Sequence, residues 1–143
     1  MRNDFNEINL FTDGGCRGNP GRGAIGFIIL DEKNCELIRI GKCIGNTTNN
    51  RAEYQALING LDCCKEFTKG KISCFLDSEL VVSQVTGKWK IKDCILKKLY
   101  QEVVAKEKNF SKVTYEHLRR TDLRIEEVDK IVNLVLDQGK KNK

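Results

Sequence analysis

The chain of 143 residues is long enough to build one domain around a real core and too short for two ordinary ones. Its hydrophobic content of 40% and charged content of 31% are those of a soluble globular protein. No apolar run approaches the roughly 18 residues that span a bilayer, and "MRNDFNEIN" lacks the apolar centre of a secretory signal, so a cytoplasmic protein is expected, without a membrane partner.

A net charge of +5 biases the chain mildly toward polyanions. The seven cysteines are odd in number and show no C-x-x-C spacing, which predicts that most are small buried hydrophobes rather than disulfide partners or zinc ligands.

In chain order, "INLFTDGG" (8–15) reads as a strand ending at a glycine pair, followed by strands "GAIGFIILDE" and "CELIRIGKCIG" across a polar turn. A helix over 50–68 comes next, stopped by "TKGK", and then a short apolar strand "KISCFLDS" (71–78) runs straight into a short helix closed by Gly87. A helix over 92–108, a fifth strand "KVTYEHLR" (112–119) and a last helix stopped at Gly139 complete the order βββαβααβα. This order predicts an α/β fold: a five-stranded mixed sheet, three antiparallel strands and then two parallel ones, with flanking helices. Residues 1–139 are expected to form the single domain and 140–143 a disordered basic tail.

Between the short helix and the next one, "GKWKIKDCILKK" (87–98) gathers lysines, Lys90 among them, around Trp89. Charge and an aromatic ring together can hold a phosphate backbone, although a solvated helix face with a half-buried Trp has the same composition.

The helix that opens "TTNNRAEYQAL" poses a sharper question. At about 100° per residue, Glu53 falls with Leu57, Gly60, Leu61 and Cys64, on the apolar face. One local explanation is a capping box in which Asn50 caps the helix and Glu53 reaches back to it. Another comes from the strands: Asp13 and Asp77 both stand at carboxyl ends of strands, where open α/β sheets bind ligands. Taken singly, Asp13 suits a turn with the following glycines and Asp77 a helix start. Together with Glu53 they would crowd one crevice, and clustered carboxylates call for a hard divalent cation such as Mg²⁺. Asp129, at the border of the last helix's apolar stripe, is a possible fourth ligand.

"TDGGCRGNPGRGAIGF", "TTNNRAEYQAL", "LDSELVVSQVTGKWKIK" and "VDKIVNLVLD" resemble ribonuclease H of the small single-domain type, in order and along nearly the whole chain. The resemblance implies a ribonuclease H-like fold in which Asp13, Glu53, Asp77 and Asp129 hold two Mg²⁺ ions, with Mn²⁺ a possible substitute. It implies that the RNA strand of an RNA–DNA hybrid is cut, leaving a 5′ phosphate and a 3′ hydroxyl, and that Glu53 is primarily a metal ligand. It also implies substrate contacts for Thr48, Asn49 and Asn50 at the helix start. Gly14, Gly15, Cys16 and Asn19 are further candidates because small residues and backbone N–H groups let a nucleic-acid backbone come close, an ordinary strand turn being the alternative, and Trp89 and Lys90 are candidates by charge and ring contact. Nothing in the sequence requires more than a monomer.

The chain departs from the family's pattern in three places. Only "GKWKIKDCILKK" stands where many members carry a long basic insertion, which implies a weaker or more salt-sensitive grip. Many members also have a loop histidine before the last helix, whereas His117 alternates with Tyr115 and Val113 inside a strand and reads as structural. Arg119, Arg120 and Arg124 are the candidates to replace it. Ile125 or Glu126, and Val128, stand for the family's Asn and Ala, which leaves Asp129 the least secure ligand. Two rivals share these residues: an inactive binding module of the same fold, and a nuclease that also cuts double-stranded RNA.

Overall fold

The computed structural model describes residues 5–141. Its elements follow the expected order: β1 (Glu7–Arg17), β2 (Gly21–Asp31), β3 (Glu36–Thr47), α1 (Asn49–Cys64), β4 (Lys71–Leu76), α2 (Glu79–Val85), α3 (Cys94–Glu107), β5 (Lys112–His117) and α4 (Leu123–Lys141). The strands lie in the order β3-β2-β1-β4-β5, with β1, β2 and β3 antiparallel and β4 and β5 parallel to β1.

Alternation along the strands divides the apolar residues between two faces. Ile8 and Leu10 of β1 and Ile72, Cys74 and Leu76 of β4 pack under α1 and α3, with Leu57, Leu61, Leu99 and Val103. Phe11 and Phe75, which stack on each other, belong to the opposite face, where Ile125 and Val128 of α4 cover Ile28 and Leu30. Counting on by twos, Asp13 and Asp77 share the α4 side with Phe11 and Phe75, whereas Gly14 shares the α1 side. Among the described residues, no helix is long and apolar enough to cross a membrane.

Several boundaries differ from the sequence reading. β1 does not end at its glycine pair: Asp13 to Arg17 continue in antiparallel register with Gly26 to Arg22 of β2, while the parallel ladder with β4 stops at Thr12 opposite Leu76. Asp13 is therefore at a strand end on one side only. α1 is capped by Thr48, whose hydroxyl accepts from the Arg51 N–H, and not by Asn50. Residues 88–93 form an irregular link, so Trp89 and Lys90 belong to no helix face, and Asp93 caps α3.

Gly139 does not stop α4, which runs on to Lys141. Its φ is not among the positive ones, and its missing side chain makes room for Arg22, whose guanidinium donates to the Leu136 carbonyl. Residues 140 and 141 of the expected tail thus belong to α4, and 142–143 lie outside the described residues. Of the cysteines only Cys64 and Cys74 are buried. Cys35, Cys43 and Cys94 are exposed because they fall in the β2–β3 turn, on the edge strand β3 and in the first turn of α3.

α1 lies so close to β1 that a Cβ on Gly14 would run into the Ala52 carbonyl, and one on Gly60 would meet Leu10. Gly14→Ala should therefore force α1 off the sheet at its N-terminal end and cost about 2–3 kcal/mol, measurable as a lowered midpoint in urea denaturation.

Candidate functional site

The end of the β1–β4 ladder sets the site. Thr12 and Leu76 are the last paired residues, so the next residue on each strand, Asp13 and Asp77, emerges side by side on the α4 face. Glu53 comes from α1 on the other face and reaches over Gly14, where no side chain stands in the way. Its Oε1 accepts the Gly14 N–H at 3.2 Å. One carboxylate oxygen from each of Asp13, Glu53 and Asp77 lies within 4.8 Å of the others.

Neither local alternative for these acids survives. Glu53 is the fifth residue after the Thr48 cap and bonds to β1, so it forms no capping box. Asp77 does not cap α2: Ser78 does, its hydroxyl accepting from Val81 N–H at 3.2 Å.

Asp13 is 5% exposed. Burial first, then repulsion from Asp77 and Asp129, push its carboxyl up to about 8. Burial, with Asp13 and Asp77 adding to it, raises Glu53 well above the ordinary range, while the Gly14 N–H pulls the other way. An all-oxygen cluster whose charges repel one another fits a hard divalent cation, because such an ion removes the repulsion and accepts carboxylate oxygens.

Asp129 stands beside the triad rather than in it. It faces Asp13 closely enough to raise its proton affinity, and its Oδ2 accepts from the Asn133 amide at 3.1 Å. Asn133 in turn accepts from Arg17 at 3.3 Å, and Arg17 pairs with Asp137 at 2.8 Å.

The acids open into a cleft of about 380 Å³ that Gly14, Gly15, Cys16, Asn49 and Asn50 also line. Asn49 Oδ1 accepts the Cys16 N–H at 3.0 Å, and Asn19 Oδ1 accepts the Asn49 N–H at 3.1 Å. With both amide oxygens used internally, the NH₂ groups of Asn19 and Asn49 are what the turn offers a ligand. Asn19 and Thr48 line an adjoining depression that shares Asn50 with the cleft. Trp89, 43% exposed, lines a separate groove with Gln84, Ile91 and Tyr100, and Lys90 stands exposed beside it.

His117 closes β5 opposite Leu76, and its Nε2 lies 3.1 Å from the Asp77 carbonyl oxygen, a contact to backbone that suits the structural reading. Of the three arginines, Arg120 enters the cleft, its Nε 3.3 Å from Asp77 Oδ2, while Arg124 pairs with Glu36 and Glu127. Sequence reasoning missed Arg17 and Asn133. Arg17 shares the parity of Asp13, a signal usable only once β1 is known to run past its glycines, and Asn133 is one helical turn beyond Asp129.

In metal-free protein, the raised Asp13 makes the folded chain bind a proton that the unfolded chain, with an ordinary carboxyl near ~3.9, releases. That stability is complete below about pH 4 and is lost as pH rises toward 8. Asp13→Asn removes the dependence, so in chelator its advantage over wild type should grow from nothing near pH 4 to several kcal/mol near pH 8 by thermal denaturation.

The Reverse transcriptase-like family matches residues 11–133. A bifunctional protein of Mycobacterium tuberculosis is 36% identical over 132 residues, covering 92% of this chain and 36% of that protein. Ribonuclease HI of Halobacterium salinarum is 34% identical over 134 residues, with 92% and 65% covered. The chain thus spans about a third to two thirds of the length of these curated relatives. Among solved structures, ribonuclease H1 of Halobacterium salinarum superimposes with a TM-score of 0.88 at 32% identity, covering 92% of this chain and 98% of that one. The N-terminal ribonuclease H domain of the tuberculosis protein gives 0.89 at 34%, with 95% and 97% covered. LC11-RNase H1, solved in complex with an RNA/DNA hybrid, gives 0.85 at 34%, with 92% and 98% covered. With a family match over most of its length and three such structures sharing its fold nearly end to end, the chain belongs to the ribonuclease H family as a ribonuclease HI-like member.

Proposed function

We propose that the protein is an endonuclease that hydrolyses the RNA strand of RNA–DNA hybrids, acting as a monomer in the cytoplasm and leaving a 5′ phosphate and a 3′ hydroxyl. The observation that carries the reading is the convergence of Asp13, Glu53 and Asp77 within 4.8 Å at the end of the parallel ladder. The hybrid bound to LC11-RNase H1, a structure of the same fold, supports the choice of substrate.

Asp13, Glu53, Asp77 and, from α4, Asp129 would hold two Mg²⁺ ions, or Mn²⁺ in their place, and such a pair supplies when bound the activation of a water and the stabilisation of the leaving 3′ oxygen. The chain itself does the positioning. Gly15 lets a nucleic-acid backbone approach the acids without meeting a side chain, and Gly14, whose side-chain position α1 occupies, offers the cleft its backbone. The amide groups of Asn19, Asn49 and Asn50 and the Thr48 hydroxyl lie along one track from the acids, suited to phosphate oxygens and to the 2′ hydroxyls that mark RNA. Burial raises the Cys16 thiol, which keeps it protonated and able to donate, as it does toward Asn49 Oδ1 at 3.4 Å. Ser78 is occupied as a helix cap and offers no covalent nucleophile. Trp89 and Lys90, outside the acidic cleft, supply grip rather than chemistry.

Strand-labelled hybrid incubated with Mg²⁺ should be cut in the RNA strand alone, and Asp13→Asn should abolish cutting while leaving hybrid binding intact. Binding without cutting by the wild type, in Mg²⁺ or Mn²⁺, would instead identify a binding module, and cutting of duplex RNA would widen the substrate. Lys90→Ala should weaken hybrid binding evenly across sequences and lower the slope of log affinity against log salt by about one, read from filter binding at several salt concentrations.

A further inference from the structure

The three carboxylates form a triangle, and two of its sides are locked by contacts already described. The β1–β4 ladder, ending at Thr12 opposite Leu76, fixes Asp13 against Asp77. The Gly14 N–H, with α1 seated on the glycine, fixes Glu53 against Asp13. The third side, from Glu53 to Asp77, runs from α1 to the junction of β4 and α2, and no ladder spans it.

What does span it is a hydrogen bond between two buried side chains. Tyr54, the residue after Glu53, is fully buried, and its hydroxyl donates to Gln84 Oε1 at 2.6 Å. Gln84 is 7% exposed and belongs to α2, the helix that starts two residues after Asp77. A tyrosine ring is a rigid spacer with two torsions, so a short bond at its tip sets a distance rather than merely adding cohesion. The groups whose spacing it sets, Glu53 and Asp77, each bring a carboxylate oxygen within 4.8 Å of the other.

We propose that Tyr54 and Gln84 are a positioning pair that sets the separation of Glu53 and Asp77 and thereby the affinity of the site for divalent cations. The inference rests on reading the three acids as metal ligands. Residues outside the ligand sphere commonly tune affinity in this way, by holding the ligands in place.

The test is calorimetric Mn²⁺ binding, together with thermal stability, for the whole chain as wild type, Tyr54→Phe, the double variant Tyr54→Phe/Gln84→Met, and Asp13→Asn. Tyr54→Phe keeps the ring but strands a buried amide, and should weaken Mn²⁺ binding roughly 10-fold. The double variant leaves no buried polar group unpaired, so it should regain thermal stability without regaining Mn²⁺ affinity. Affinity that returns together with stability, or that Tyr54→Phe leaves unchanged, overturns the positioning role and reduces the pair to core packing. A wild type that binds no Mn²⁺, or an Asp13→Asn variant that binds it as tightly as wild type, overturns the metal reading itself.

Discussion

Everything at the working end of this molecule follows from holding like charges close together. Three carboxylates within 4.8 Å repel one another, and each is delivered by a different element: β1, α1 and the β4–α2 junction. No local feature of the chain could assemble them. The sheet supplies the force, because the apolar packing on both its faces holds the strands and the helices against the repulsion of the carboxylates. The cost shows in Asp13, whose proton affinity rises toward neutrality when nothing positive compensates it. A site strained in this way is prepared for a cation.

The other half of the cleft is built differently. α4 lies on the opposite face, and Asp129 reaches the triad from an exposed position steadied by Asn133 and, through it, by Arg17. Close seating of α4 depends on glycines of the sheet: Gly26 and Gly41 face Ile131, Val132 and Val135, where any side chain would press into the helix. The core seats α4, but the Asp129 side chain takes its orientation from surface polar contacts, which water and salt weaken. Arg120 adds a cation at the rim that is 91% exposed and free to yield its place near Asp77 to a ligand.

Much of this was legible in the sequence because it follows from periodicity. Short apolar runs bounded by glycines and polar turns located the five strands, and the helical wheel put Glu53 on the inner face of α1, where no isolated helix would want it. The misreadings share one cause, the use of a residue's local habit where a distant partner decides. Glycines usually end strands, but β2 pairs with β1 through its glycine pair to Arg17. Asn50 is a good cap, yet Thr48 holds that place, and the helix has already begun at Asn49, which bonds to Cys16 and Asn19. Gly139 usually marks a stop, yet here it makes room for Arg22. Arg17 and Asn133 escaped notice for the same reason: their significance lies in a contact across 116 positions of chain.

The one-sided ending of β1 leaves Gly14 and Cys16 with N–H groups that β4 no longer meets, and α1 takes them over with Glu53 and Asn49. Residues four apart on a helix advance about 6 Å, and residues two apart on a strand about 6.6 Å. The two repeats agree over one step and drift apart over the next, as the marks of a vernier do. The two donors find their acceptors in Glu53 and Asn49, which stand at that spacing, so the two bonds together mark one position of α1 along β1. A shift of the helix by one residue in either direction breaks both bonds at once, so the axial position of Glu53 is selected all or none rather than by degrees.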